Sequence, residues 1–423
     1  MMKQSFKSMM LMGAFLFSLL LCFTSCEDIL GTWDKPAPAV VTPSEPETPS
    51  VAPAATITTA PTATADVKAG STTELVTAGV ADGGTMMYKV TNDNTKPTST
   101  DGFDATVPTA ATLAAGTYYV WYYAKADATH SDSEIAATAI EVTVKIPGLL
   151  TGVFTVKASP LTKVQFSQGN LQAVIASGPT DTYNYMASSW KFAENQWDYI
   201  GNAAGNTTFA ANSTVDLFGW VGTSASYDTY GLCTNNSSNN DYYGTSTSDA
   251  LKSDWGTNMG AGWRTLSKDE WEWLLGPQDS PNPGTNCRTS STIGGTTNAR
   301  WVKATVHSKK GLIIFPDEIS WDVTTMGTAP TTINPTTSDD FTYAPSDDEW
   351  TALAAKGCVF LPAAGRRGGS TVYNAGSRGR YWSSTVNSAN NAYFVDFFSG
   401  NLQPALDSDR FYGFSVRLVR PAE

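Results

Sequence analysis

The last stretch of the chain, GRYWSSTVNSANNAYFVDFFSGNLQPALDSDRFYGFSVRLVR (379–420), mixes a strand-like frame with side chains suited to recognition. In NAYFVDFFSG, strand alternation turns Tyr393, Val395 and Phe397 toward a core and Phe394, Asp396 and Phe398 outward. Two outward phenylalanines flanking an acid cost solubility, and such patches usually mark recognition. Tyr373, Arg378, Arg380, Phe411 and Tyr412 add the arginine and aromatic chemistry that dominates binding hot spots. The competing arrangement is a strand between two layers with these aromatics as core, and Trp382 is expected in core. LDSD (406–409) reads as a loop at the same end, a solvated turn or a set of carboxylates able to ligate calcium.

Other chemistries find less support. The chain has two histidines, His130 and His307, too few for a zinc-binding cluster. A Ser–His–carboxylate triad needs His307 as its base, and ATVHSKKG carries no nucleophile elbow. FPDEISW and PSDDEW hold acids in pairs, but spacing alone does not make them a glycosidase pair. No Walker loop or dinucleotide fingerprint occurs. No catalytic residue, metal site or cofactor is therefore expected. A formal net charge of −12 argues against nucleic acid as partner, because phosphate binding needs basic surface.

These residues need elements to carry them. A chain of 423 residues is long enough for two or three domains, and 13 Trp, 17 Tyr, 18 Phe and 35 Gly suit β-rich ones. Residues 1–25 read as a secretory signal, with Lys3 and Lys7 before the apolar MMLMGAFLFSLLLCF. Phe23, Thr24 and Ser25 before Cys26 resemble the lipobox of bacterial lipoproteins, although Leu is usual where Phe23 stands. The resemblance implies a lipid anchor on Cys26, with each buried acyl CH₂ contributing about 0.8 kcal/mol. Cleavage there leaves 25 basic against 39 acidic residues, a net −14. Residues 26–53 are Pro-rich, an extended linker. Glu27 and Asp28 resemble the surface-export signal of some Gram-negative lipoproteins, which implies an outer-membrane protein exposed on the cell surface. Cys233, Cys287 and Cys358 permit one disulfide or three buried thiols.

Residues 54–146 read as a β-sandwich of short runs: ATITTA, STTELVTA, TMMYKV, GTYYVWYYAKA and AATAIEVTVK. In TYYVWYYAK both faces are apolar, which places that strand between layers. The unit resembles the immunoglobulin-like repeats of bacterial surface proteins, where it acts as a spacer. After Pro147-Gly148, residues 149–423 form a larger α+β unit. Its clearest helix lies in AGWRTLSKDEWEWLLGP, with Ser267 and Glu270 as a capping box, Trp271, Leu274 and Leu275 on one face, and Gly276-Pro277 as the stop.

GWRTLSKDEWEWLL, KGCVFLPAAGRRGGS, YWSST and GFSVRLVR resemble, in that order, motifs of the formylglycine-generating-enzyme branch of the C-type-lectin fold. The enzymes of that branch use paired cysteines near the chain end, and none follows Cys358 here. The Trp-Asn-Asp motif of calcium-dependent lectins is also missing at YWSST. The nearest resemblance is to the variable proteins of diversity-generating retroelements, which implies a variable segment over 373–420. Asn387, Asn390, Asn391 and Asn401 suit that pattern. The expected fold is thus mainly β with some α, an immunoglobulin-like sandwich followed by a C-type-lectin-like domain. Ligand-binding residues are expected at Tyr373, Arg378, Arg380, Val386, Ser388, Asn390, Phe394, Asp396, Phe398, Leu406, Asp407, Ser408, Asp409, Phe411 and Tyr412. The partner is an unidentified protein or glycan on another cell or phage, and a protein partner implies an interface of about 1,200–2,000 Å². The alternatives are a glycan or cell-wall adhesin of fixed specificity, and a hydrolase or formylglycine-generating-type enzyme.

Overall fold

A computed structural model describes residues 52–179, 185–222, 250–277, 281–335 and 340–422. The leader, Cys26, most of the linker, Cys233 and the Asn-rich stretch 235–240 lie outside the described residues. The described chain is mainly β with some α.

Five strands come first: β1 (Thr56–Thr59), β2 (Val80–Asp82), β3 (Gly84–Thr91), β4 (Gly116–Ala126) and β5 (Ile140–Val144). β3, β4 and β5 form one antiparallel sheet, and β1 pairs with β2. Val120, Val142, Val144, Met86 and Tyr88 enter a shared core, to which Ile57 and Ala81 add from the β1–β2 pair. The aromatic run of β4 is covered on both faces, as its composition predicts. Trp121 and Tyr123 are buried on the side opposite Val120; Trp121 Nε1 donates to Thr91 Oγ1 at 3.2 Å, and Phe103 meets Tyr123 edge-on at 5.1 Å. STTELVTA is not a strand. Its backbone bonds one residue at a time to two other segments, Leu75 N–H to Pro108 O and Thr77 N–H to Thr62 O, both at 2.8 Å, while Leu75 and Val76 still enter the core.

The larger part begins with β6 (Phe154–Ala158), β7 (Leu161–Phe166), β8 (Leu171–Pro179), β9 (Tyr185–Phe192), α1 (Ala204–Thr208), β10 (Thr214–Val215) and β11 (Arg264–Thr265). Next come α2 (Lys268–Leu275), β12 (Trp301–Val306), β13 (Lys309–Ile314), α3 (Val323–Met326), α4 (Asp347–Ala355) and β14 (Val359–Pro362). The final strands are β15 (Arg366–Gly368), β16 (Thr371–Tyr373), β17 (Arg378–Val386), β18 (Asn391–Phe398), β19 (Asn401–Asp409) and β20 (Leu418–Pro421). They assemble in the orders β11–β20–β7–β6, β10–β8–β9, β12–β13–β14, β15–β16 and β17–β18–β19.

Helix α2 starts as its capping box predicts. Ser267 Oγ accepts the Glu270 N–H at 3.3 Å, Glu270 Oε2 accepts the Ser267 N–H at 2.8 Å, and Arg264 grips the same carboxylate with two bonds of 2.7 Å. Trp271, Leu274 and Leu275 are buried, and Gly276 ends the helix at φ 88°. The acids of PSDDEW have the same explanation. Asp347, Asp348 and Glu349 fill the first turn of α4 under a second capping box from Ser346, where negative charge suits the helix dipole.

Ala54–Glu423 forms one compact unit. Ile146 and Leu149 pack against a core of the larger part, and Gly148 O accepts the Gln168 N–H at 2.7 Å. Cys287 and Cys358 are buried free thiols, and burial pushes the Cys358 thiol well above its ordinary value.

Two buried charges tie the layers. Arg288 donates from Nε to Leu274 O at 2.9 Å, from Nη2 to Phe315 O at 2.6 Å and from Nη1 to Asp317 Oδ1 at 2.9 Å. Asp216 Oδ1 accepts from Asn206 Nδ2 at 2.7 Å and Oδ2 from the Ile200 N–H at 2.8 Å, yet complete burial lifts its carboxyl to about 6. Arg288→Leu takes the cation from Asp317, which keeps its bonds from Thr155, and is expected to cost about 3–5 kcal/mol by urea denaturation. Folded Asp216 holds its proton up to about 6. The unfolded chain releases it near the ordinary 3.8, so folding binds a proton between those values and this contribution falls as pH rises through them. Asp216→Asn should accordingly gain stability relative to the parent by about 3 kcal/mol between pH 4 and 7, read from paired denaturation curves.

Candidate functional site

The register of β17–β18–β19 decides which side chains meet. Arg378 stands opposite Phe398, Arg380 opposite Asp396 and Trp382 opposite Phe394, with Leu406 beyond Phe394. Phe394, Asp396 and Phe398 thus share a face, as alternation predicts. Tyr381, Val395 and Phe397 point the other way into the core shared with α2 and β12–β14. Gly379 makes room for this, since a Cβ there would lie 2.0 Å from the Phe397 ring.

The face expected to be outward is mostly covered. Phe394 is 2% exposed, Asp396 is fully buried, and Phe411 and Arg380 are each 6% exposed. The cause is a second layer. Phe218 and Phe414 exchange backbone hydrogen bonds of 2.8 and 3.0 Å, and Trp220 N–H donates to Arg410 O at 2.8 Å, laying the 410–416 segment and 217–220 over this end of the sheet. Phe414 stacks on Trp382 at 4.2 Å and meets Phe394 at 4.6 Å. Phe394 and Phe411 are therefore structural, as is Trp382, whose Nε1 donates to Phe218 O at 2.6 Å.

The face opens where Arg378 and Phe398 stand half-buried. Arg378 Nε donates to Asp396 Oδ1 at 2.6 Å, Arg378 Nη2 takes Asp396 Oδ2, and the Arg378 guanidinium lies 4.5 Å from the Phe398 ring centre. Arg380 Nε approaches Asp396 Oδ1 at 3.4 Å. The β15–β16 hairpin sets Arg366 opposite Tyr373, and the hairpin is fastened by paired backbone bonds between Arg367 and Gly413 at 2.8 and 2.9 Å. Arg366 then lies 4.3 Å from the Tyr412 ring centre and 5.4 Å from that of Tyr373. Both rings border Gly368, where a Cβ would already touch each at 3.4 Å. Burial lowers Arg380 to about 10, with the Arg378 and Arg366 cations adding to that shift and Asp396 opposing it. Burial raises the Asp409 carboxyl while Arg366 pulls it down.

The remaining expected residues lie along the rest of the β17–β18–β19 sheet, with Asp409 within electrostatic reach of Arg366. Residues 406–409 are the end of β19, not a loop. Leu406 pairs with Phe394, Asp407 with Tyr393, Ser408 with Ala392 and Asp409 with Asn391, so the hairpin register runs on through them. Leu406 and Val386 pack partly against the second core, and Asp407 Oδ2 accepts from Asn391 Nδ2 at 2.7 Å. Ser388 and Asn390 form the turn between β17 and β18, at the far end from Arg378. Arg410 holds them, through Nη2 to Ser388 O at 2.6 Å and N–H to Asn390 O at 3.0 Å. Six expected residues remain together: Tyr373, Arg378, Arg380, Asp396, Phe398 and Tyr412. Arg366 joins them; alternation in GRRGGS, which turns Arg366 and Arg367 to opposite faces, was the available signal.

His307 stacks on Trp197 at 3.8 Å and pairs with Asp347 at 3.0 Å. Among the described residues no three His, Cys, Asp or Glu side chains gather as a metal-holding group, and no helix is long and apolar enough to cross a membrane. Comparison of the chain with protein-family models, with curated proteins and with solved structures finds no match.

Asp396→Asn removes the charge on which two guanidiniums converge. It is expected to lower stability by about 3–5 kcal/mol in urea denaturation. A loss below about 1 kcal/mol would contradict the role given to this carboxylate.

Proposed function

We propose that this chain is a surface-anchored ligand-binding protein, of the adhesin or receptor type, that holds its partner non-covalently at the open end of the β17–β18–β19 sheet. One observation carries the reading. A sheet covered on both faces ends in a patch where half-buried Arg366, Arg378, Phe398 and Tyr412 and exposed Tyr373 gather beside the buried guanidinium of Arg380. Arginine and tyrosine are the residues that most often carry binding energy. Tyr373, 45% exposed, is costly in water unless something covers it.

The lipid anchor at Cys26, outer-membrane placement and surface exposure are supported by the leader, the lipobox-like FTSC and the following acidic pair. A C-type-lectin-like head of the retroelement-diversified kind, carried on an immunoglobulin-like spacer, is supported by where the motifs fall. GWRTLSKDEWEWLL supplies β11 and α2, KGCVFLPAAGRRGGS supplies β14 and β15, YWSST lies in β17, and GFSVRLVR ends in β20. These are frame elements. The segment between the last two motifs carries β18 and β19, so changes confined to its surface positions alter the patch and leave the frame.

Tyr373→Ala, Phe398→Ala and Tyr412→Ala are the decisive variants. Screened on a glycan array and a panel of intact cells, each should weaken capture at least tenfold while the thermal midpoint stays within a few degrees of the parent. Undiminished capture by all three would remove the patch as the binding site.

A further inference from the structure

Arg380 is the exception among the buried arginines of the described residues. Arg288, Arg300, Arg367, Arg410 and Arg417 each donate at least one hydrogen bond to a backbone carbonyl. Arg380 is 6% exposed and donates none to a backbone carbonyl of a described residue. Its closest acceptor, Asp396 Oδ1, is 3.4 Å from Nε, and its Nη1 is buried without a partner. The carboxylate facing it is held more closely by Arg378, which takes both oxygens, and Arg380 reaches Oδ1 only at 3.4 Å. Arg366 repeats the pattern. Tyrosine rings lie against its guanidinium, and its Nε is buried with no acceptor. Buried guanidinium donors are ordinarily satisfied; Arg417 Nε is open as well, but Arg366 and Arg380 are neighbours in one patch, and their two open donors together can take one acceptor group.

We infer that Arg366 and Arg380 hold the carboxylate of an acidic sugar, with Tyr373 and Tyr412 against the sugar ring. The inference rests on the binding-surface reading and names its ligand class. A planar guanidinium fork matches a carboxylate in two parallel bonds, which a point cation does not. The local charge fits one anionic group. Asp396 offsets one of three cations, and Asp409 lies close enough to Arg366 to offset part of another. Size favours a small ligand over a protein. The large exposed hydrophobic residues among those described are Val80, Leu161, Val323 and Tyr373, and of these Tyr373 alone belongs to the patch. A protein partner needs about 800 Å² on each side with an apolar centre, and this surface does not offer one. An exposed tyrosine beside an arginine suits a sugar, whose C–H face covers the ring while its acid takes the fork.

The test uses the full chain and three probes, glucuronate, glucose and N-acetylglutamate, titrated by calorimetry. Glucuronate is expected to bind at least tenfold tighter than either of the others, and less tightly as salt is raised. Arg380→Lys keeps the charge and loses the fork, and should weaken glucuronate at least tenfold; Arg366→Gln should do the same. If Arg380→Lys fails to fold, Arg366→Gln, at the solvent-facing edge, decides alone. Equal binding of glucose, or parental affinity in both variants, overturns the inference. Tighter binding of N-acetylglutamate overturns the sugar assignment in favour of an acidic peptide. Should glucuronate not bind while Tyr412→Ala still abolishes capture of another ligand, this inference falls and the binding surface stands; if the aromatic variants capture everything the parent does, the surface reading falls as well.

Discussion

Asp396 is the constraint around which the C-terminal sheet is arranged. It is buried in the middle strand and faces two guanidiniums from the neighbouring strand. A carboxylate stripped of water is tolerable only against cations, and cations so deep need it equally. The requirement fixes Arg378 and Arg380 on one face and thereby the register of β17 against β18. It also forces the layer above to be rich in rings and arginines, since a purely aliphatic cover would leave the second guanidinium without company. Phe414 lies 5.8 Å from Arg380 and fills that place.

Covering both faces of a three-stranded hairpin sheet makes this part of the molecule stiff. Trp382, Phe394 and Phe414 lock one end of the face into the second core, while Tyr381 and Phe397 lock the reverse side into the first. What is left is a rim and not a plane. Its groups come from three separate pieces of chain: the β15–β16 hairpin, the start of β17 with the end of β18, and Tyr412. Loose contacts could not hold these together, and the backbone pairing of Arg367 with Gly413 does so. Asp407 and Asn391, at the other end of the hairpin, satisfy each other and leave little for a ligand.

Much of this was legible in the sequence, and the failures have one cause. Local signals held. Ser267 and Glu270 predicted α2, alternation predicted that Phe394, Asp396 and Phe398 share a face, and the apolar run of β4 predicted burial on both sides. What alternation cannot give is which face meets water. That depended on Phe218 and Trp220, distant in sequence, folding over Phe394. The same limit made 406–409 read as a loop. Asp407, Ser408 and Asp409 are polar residues of low strand propensity, and they continue β19 because Asn391, Ala392 and Tyr393 offer them a register. Arg366 was hidden among the glycines of GRRGGS; its importance came from Tyr412, far along the chain.

The last strand has a consequence for how the molecule is made. β20 lies inside its sheet, between β11 and β7, and Leu418 and Val419 reach the two large cores. Both neighbours keep an open edge until β20 has been made and has paired with them. The four-stranded sheet therefore cannot close before β20 is available. A chain lacking β20 would carry that unsealed seam and be a ready substrate for proteases, so an intact rim requires β20 to be in place.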